Sequence, residues 1–203
     1  MKKLPSLLFL MFFNIIMGCS QEINLVNIEV PSIIDERSDR IITHKGYTVS
    51  YNYDWKIPNW VAYELTDWEA EGEYPRSNSF KPDPMVPRNA TATTDDYKYS
   101  GYDRGHMAPA ADMKWDEQAM KESFYLSNIC PQNPNLNGGV WKDLEEQVRD
   151  LAMQKGKIFV VCGPIVNDTS NTLGENKVVV PQAFFKVLLQ EENGEIHTIG
   201  FVY

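Results

Sequence analysis

Histidine and cysteine are scarce in this 203-residue chain, with three of each. A zinc centre draws its ligands chiefly from those two residue types and would want more of them than are present. Basic residues are also outnumbered, 19 Lys and Arg against 28 Asp and Glu, for a formal net charge of -9. A chain with that balance does not bind polyanions by being basic overall, so contact with nucleic acid has to rest on local charge or on a metal. No internal repeat or low-complexity tract is present, and no apolar run reaches the roughly 20 residues that a membrane-spanning helix needs. What is abundant is core material: 43% hydrophobic and 12% aromatic residues, with five Trp and ten Tyr. That supplies one globular domain with one substantial core and excludes a disorder-type composition.

The longest apolar run is N-terminal, Leu7 to Met17 interrupted only by Asn14, behind the basic pair Lys2 and Lys3. This is the pattern of an export signal. It ends in Ile16-Met17-Gly18-Cys19, which resembles the bacterial lipobox, whose Cys is acylated as the mature first residue. The expected organisation is a lipoprotein signal peptide over 1–18, a flexible tether over 19–45 starting at lipidated Cys19, and a domain over 46–203. The expected location is the bacterial cell envelope, periplasmic or surface, with a membrane as partner through the lipid; a plain cleaved signal would give a secreted protein instead. Disulfides are permitted outside the cytoplasm, and two cysteines remain in the body, Cys130 and Cys162. A disulfide between them and a pair of buried free thiols are both open at this point.

From Ser20 to about Lys45 the residues are polar and aperiodic, which predicts little fixed structure. Tyr47, Val49, Tyr51 and Tyr53 alternate with polar neighbours and predict a half-buried strand; Trp60 to Leu65 predicts a second. Thr66 to Ser100 carries Pro75, Pro82, Pro84 and Pro87 without periodicity, a long segment of the kind that wraps toward a site. Asp116 to Ser123 reads as a short helix, Phe124 to Ile129 as a strand and Gly139 to Lys155 as a longer amphipathic helix. Ile158 to Cys162, bounded by Gly163-Pro164, reads as a central strand buried on both faces. Ala183 to Leu189 and Glu195 to Tyr203 flank Asn193-Gly194, which favours a tight type I′ hairpin. The class is mixed α/β, of the α+β kind, with an antiparallel-rich sheet carrying helices.

The sharpest local string runs from Ser100 to Met113 and places Arg104, Gly105 and His106 in succession near a strand end, where Pro109 stops regular pairing. Neutral imidazole can take a proton from water near neutrality, and Arg matches the oxygen fork of a phosphate. Together they suit hydrolysis of a phosphodiester. Taken alone, a His followed by apolar residues is more often a satisfied structural one. Thirty-one positions later stands Asn137, followed by two glycines and a helical pattern with Glu145 at the edge of its apolar face. Helical side chains lean toward the N-terminus, so Glu145 and Asn137 can share a site. Read by themselves they serve equally as an N-cap and a solvated acid.

Three blocks in order, Asp103-Arg104-Gly105-His106, then Phe124 to Gln132, then Asn137 with Glu145 eight residues on, resemble the DNA/RNA non-specific endonuclease family with its ββα-metal site. The likeness extends from about Trp60 to the end of the chain. It implies a ββα-metal nuclease fold and an endonuclease that cuts DNA and RNA to 5′-phosphate and 3′-hydroxyl ends. It implies His106 as general base, Asn137 as the one direct protein ligand of a divalent metal, and Glu145 as the acid that holds the metal's waters. Asn128 matches an Asn supporting the His or metal region, Arg104 an Arg near the phosphate, and Arg76 an upstream phosphate clamp, with Arg88 as the alternative. A single amide oxygen suits a hard, mostly hydrated ion, so Mg²⁺ is expected, with Mn²⁺ tolerated. Activity should fall as His106 is protonated between pH 8 and pH 5. His44 and His197 match no motif and receive no role. The other reading is a catalytically inactive lipoprotein that keeps the fold as a nucleic-acid-binding or interaction module; its mark would be loss of the base or the metal ligand, and both are present. Relatives usually continue past the point where this chain stops, which leaves two readings open, a C-terminally truncated fragment or a site that lacks a supporting element. Oligomeric state and any restraining protein inhibitor are not legible.

Overall fold

The structure is a computed structural model that describes residues 29–31 and 39–203. The signal region and Cys19 lie outside the described residues. An antiparallel meander opens the domain: β1 (Asp39–Thr43), β2 (Thr48–Asn52) and β3 (Ile57–Thr66). Tyr47, Val49 and Tyr51 are buried as their alternation predicts, but Ser50 and Asn52 on the opposite face are buried too. The polar face is covered because it forms a ladder of its own, with Asn52 donating to Asn59 and Asn59 to Ser50.

The first correction concerns the tether. Residues 39–43 pair with β2, and His44 is buried, its Nε2 2.8 Å from Asp83 Oδ2 and its ring against Tyr47 and Tyr125. Ordered structure therefore begins before residue 46. Polar composition hid this strand, because an edge strand is held by backbone pairing to β2 and needs few apolar side chains of its own.

A short helix, α1 (Asp67–Ala70), follows, and then the long wrap to the next strand, β4 (Asp103–His106). The helix α2 (Glu117–Ser123) is capped by Asp116, whose carboxylate accepts from the backbone N–H of Gln118 and Ala119. Phe124 to Ile129 is not one strand. Leu126–Asn128 forms a single 3-10 turn and pairing starts only at β5 (Ile129–Gln132). The side chains of Ser127 and Asn128 are committed to buried polar partners on other segments, Asp83 and Ala108, and to Ser123, which fixes them in the turn and not in a ladder.

Asn137 closes a one-turn helix, α3 (Pro134–Asn137), instead of capping the next. The longer α4 (Val140–Lys155) starts beyond Gly138-Gly139, where a Cβ on Gly139 would stand 2.4 Å from Asn135 O. Its buried stripe is Trp141, Leu144, Val148 and Ala152, each large member contributing about 1.5–3 kcal/mol by burial. The central strand β6 (Lys157–Ile165) pairs with β3 on one side. After the small pair β7 (Thr172–Leu173) and β8 (Val178–Val179), its other side takes β9 (Ala183–Glu192), and β10 (Glu195–Val202) closes the edge. The sheet order is β1-β2-β3-β6-β9-β10, antiparallel throughout, and Asn193 and Gly194 both adopt positive φ in the closing hairpin. Ile158, Phe159, Val160 and Cys162 on β6 are buried, as a central strand requires. Cys130 and Cys162 are buried free thiols, and Cys162 Sγ donates to Met107 O at 3.1 Å. Of the two readings left open, the structure holds the free pair.

Candidate active site

The site sits on a ribbon and a helix end outside the main sheet. β4 and β5 pair antiparallel with Gly105 opposite Cys130 and His106 opposite Ile129. Only glycine fits at 105, because a Cβ there would meet the Gln132 side chain at 2.1 Å. Pairing continues one residue further, Met107 N–H to Asn128 O, and Asn128 then clamps the outgoing chain. Its amide accepts from Ala108 N–H and donates to Ala108 O and Ser123 O. This fixes where His106 points.

His106 is 8% exposed, its ring 4.8 Å from Phe124 and 5.3 Å from Phe80, and among the described residues its Nε2 has no hydrogen-bond partner. Burial, then Arg76 and Arg104, push its pKa down to about 3. The ring is held uncharged, with a free acceptor nitrogen in its Nδ1-protonated tautomer.

One cavity of about 310 Å³ brings together Arg76, Arg104, His106, Asn137 and Glu145. Arg104 lies over the Phe80 ring at 4.2 Å and Arg76 over Phe124 at 5.1 Å, so the aromatic pair that packs His106 also seats both cations. Arg76 reaches the site because the wrap forms a bridge there: Lys81 N–H donates to Phe124 O and Leu126 N–H to Lys81 O. Arg88 does not line the cavity. Asn137 Nδ2 donates to Asp103 Oδ2 at 2.9 Å, which turns its amide oxygen away from Asp103 and leaves it free as a ligand.

Glu145 has its pKa raised to about 7, mainly by burial and further by Asp112, with Lys186 and Arg149 opposing. Among the described residues no cluster of three or more His, Cys, Asp or Glu is placed to hold a metal. The available donors are an amide oxygen and one carboxyl in a shared cavity, a hard and sparse set that fits a cation keeping most of its water.

Asn128 does not line this cavity; fully buried, it acts through the backbone that leaves His106, at Met107 and Ala108, and through Ser123. Two cations that motif reasoning missed do line it, Lys142 and Arg149. Both share the helical stripe of Glu145 at positions i-3 and i+4, so the signal was there in the spacing. Arg149 is fixed by Asp112, 2.8 Å away, whose buried carboxylate also accepts from Tyr63. Four cations therefore face one carboxylate inside a chain of net charge -9. The acidic run that starts at Asp67 lies by the far end of α4, where Asp67 N–H donates to Gly156 O.

A model of the DNA/RNA non-specific endonuclease family matches residues 28–203. The chain belongs to that family. Mitochondrial nuclease EXOG of Danio rerio is 41% identical over 161 residues, covering 74% of this chain and 47% of that protein. Mitochondrial endonuclease G of Homo sapiens is 34% identical over 163 residues, covering 75% and 55%. Mitochondrial nuclease 1 of Schizosaccharomyces pombe is 39% identical over 173 residues, covering 78% and 53%. The chain thus spans about half the length of these curated family members. Among solved structures, a crystal structure of an EndoG/EndoGI complex, which addresses EndoG inhibition, superposes with a TM-score of 0.74 at 31% identity, covering 83% of this chain and 74% of that one. The fold is that of the ββα-metal nucleases. These relatives are named as mitochondrial, which corrects the bacterial cell-envelope location and lipid anchoring expected from the N-terminus.

Proposed function

We propose that this member of the family is a metal-dependent endonuclease that hydrolyses phosphodiester bonds of DNA and RNA, with His106 as general base and Asn137 as metal ligand. One observation carries the reading: an uncharged imidazole with an unpartnered Nε2 shares a single cavity with a free amide oxygen, a carboxyl group and four cations. A buried ring nitrogen without a partner is the kind of orphan that a bound water satisfies. His106 Nε2 accepts the proton of the water that attacks phosphorus. Phe80 and Phe124 hold the ring in place and uncharged, and the negative charge of a bound phosphate beside it raises its basicity for the proton transfer. Arg76 and Arg104 bind the non-bridging oxygens and stabilise the extra negative charge that develops on them.

Asn137 and Glu145 are the residues that would hold the divalent cation, Mg²⁺ by the hardness of its donors, with Mn²⁺ a substitute. When bound, that cation supplies Lewis-acid stabilisation of phosphoryl and leaving-group oxygens. Asp103 keeps the Asn137 amide from rotating, so its oxygen stays presented. None of these groups reads a base edge, which favours both DNA and RNA as substrates with weak sequence preference. The test is to digest plasmid, single-stranded DNA and RNA in parallel, with magnesium and with chelator, using wild type, His106→Ala and Asn137→Ala. Cutting by wild type that chelator and both substitutions abolish is expected; activity that survives His106→Ala would overturn the assignment.

A further inference from the structure

A second cleft, about 580 Å³, opens beside the catalytic cavity and shares two of its walls, Arg104 and Asn137. Its size falls within the roughly 300–1,000 Å³ of ligand sites. Lys98 and Tyr102 line it, with Asp95 on the same wall. Next to Lys98 in the chain stands Tyr99, 95% exposed and with φ at 58°. That is left-handed backbone, which a bulky residue seldom adopts.

The turn that presents Tyr99 is tightly bonded. Lys98 N–H donates to Asp95 O, Ser100 Oγ donates to Tyr97 O at 2.8 Å, and Tyr102 N–H donates to Ser100 Oγ at 3.1 Å. The ring is thus held out by a bonded turn, and among the described residues Lys98 stands beside it, its Nζ 5.3 Å from the centroid. Tyr99 itself does not line the cleft, but its ring stands beside Lys98, which does, so an aromatic face and a cation are offered together next to a cleft that adjoins the catalytic cavity. Single-stranded nucleic acid is gripped by this pairing of a stacking face with positive charge.

We infer that this cleft is a subsite for the nucleotide adjoining the scissile phosphate, its base stacked on Tyr99 and its phosphate between Lys98 and Arg104. The inference rests on the nuclease reading above. The cleft also carries two carboxylates, Asp95 and Asp103, the latter accepting from Asn137, so a phosphate there is held by Lys98 and Arg104 alone. A base can reach Tyr99 only when it has left its own stack, so the subsite favours single strands and locally unpaired ends over intact duplex.

The experiment measures binding of short single-stranded and duplex oligonucleotides by anisotropy, with magnesium, in a His106→Ala background that binds without cutting. Tyr99→Gly suits the left-handed backbone, so its thermal midpoint should not fall. Its Kd for the single strand should rise about tenfold, while its Kd for duplex changes by less than about twofold. Tyr99→Trp should restore single-strand binding. An oligonucleotide lacking the one flanking base should bind Tyr99-containing protein about as weakly as the intact strand binds Tyr99→Gly. If the parent enzyme cuts nucleic acid yet Tyr99→Gly binds intact and abasic strands as the parent does, the subsite is wrong and the nuclease reading stands. If the parent protein neither binds nor cuts, the nuclease reading falls and the subsite falls with it.

Discussion

His106 should stay uncharged in the free protein far below the pH at which an ordinary histidine protonates. Its pKa lies at about 3, lowered first by burial between Phe80 and Phe124 and then by Arg76 and Arg104. Against a reference near 6.5, that displacement corresponds to about 5 kcal/mol at roughly 1.4 kcal/mol per unit. The sign follows from proton counts. Between pH 6.5 and pH 3 the unfolded chain binds a proton at this residue and the folded chain does not, so stability falls with acidification at up to about 1.4 kcal/mol per pH unit. Imidazole resonances followed by NMR should show no titration of His106 from pH 8 to pH 5. Urea unfolding of wild type and His106→Phe should diverge only below about pH 6.5. The acid limb of kcat/KM due to this residue therefore lies well below the pH 5–8 window expected from sequence alone. A bound phosphate sets negative charge beside the ring, so the corresponding limb in kcat should lie higher than in kcat/KM. A titration of His106 near pH 6.5 in the free protein, or unfolding curves that stay parallel in acid, would refute the reasoning.

Asn128→Ala should cost about 3 kcal/mol in denaturant unfolding, because it orphans one buried N–H and two carbonyls, while leaving the magnesium dependence of the residual activity unchanged. Asp103→Ala should raise the metal concentration needed for half-maximal activity with only a small loss at saturation, whereas Asn137→Ala should not be rescued by excess metal; equal behaviour of the two would argue against Asn137 as the ligand. Glu145 titrates at about 7, so magnesium binding near pH 6 should release close to one proton, measured by calorimetry in buffers of different ionisation enthalpy and lost in Glu145→Gln. Because this pKa is raised, Glu145 makes the fold less stable as pH rises from about 4.5 through 7, the opposite sense to His106. Gly105→Ala forces the buried Gln132 side chain aside and should destabilise by about 1–3 kcal/mol and misplace His106; a neutral result would show that the ribbon can yield.

The local signals survived folding: the β6 run, the Asn193-Gly194 hairpin, the short helix up to Ser123 and the α4 stripe all rest on spacing within one segment. So did the order of the Asp103–His106, Asn137 and Glu145 blocks, which a chain carries whether folded or not. Spacing said little where a partner strand holds the extended structure, as in β1, or where side chains bond to remote segments, as in the turn at Leu126–Asn128. Tertiary structure alone decided that Arg76, not Arg88, meets His106, since a bridge from Lys81 to Phe124 and Leu126 brings the wrap to the ribbon. It also decided that Asn128 works from behind the site, that Arg149 stands in it, and that burial disfavours the charged form of both the imidazole and the Glu145 carboxyl, moving their pKa values in opposite directions. Residue types set which groups can titrate; distance from water and from other charges sets when they do, and those distances exist only once remote segments have packed.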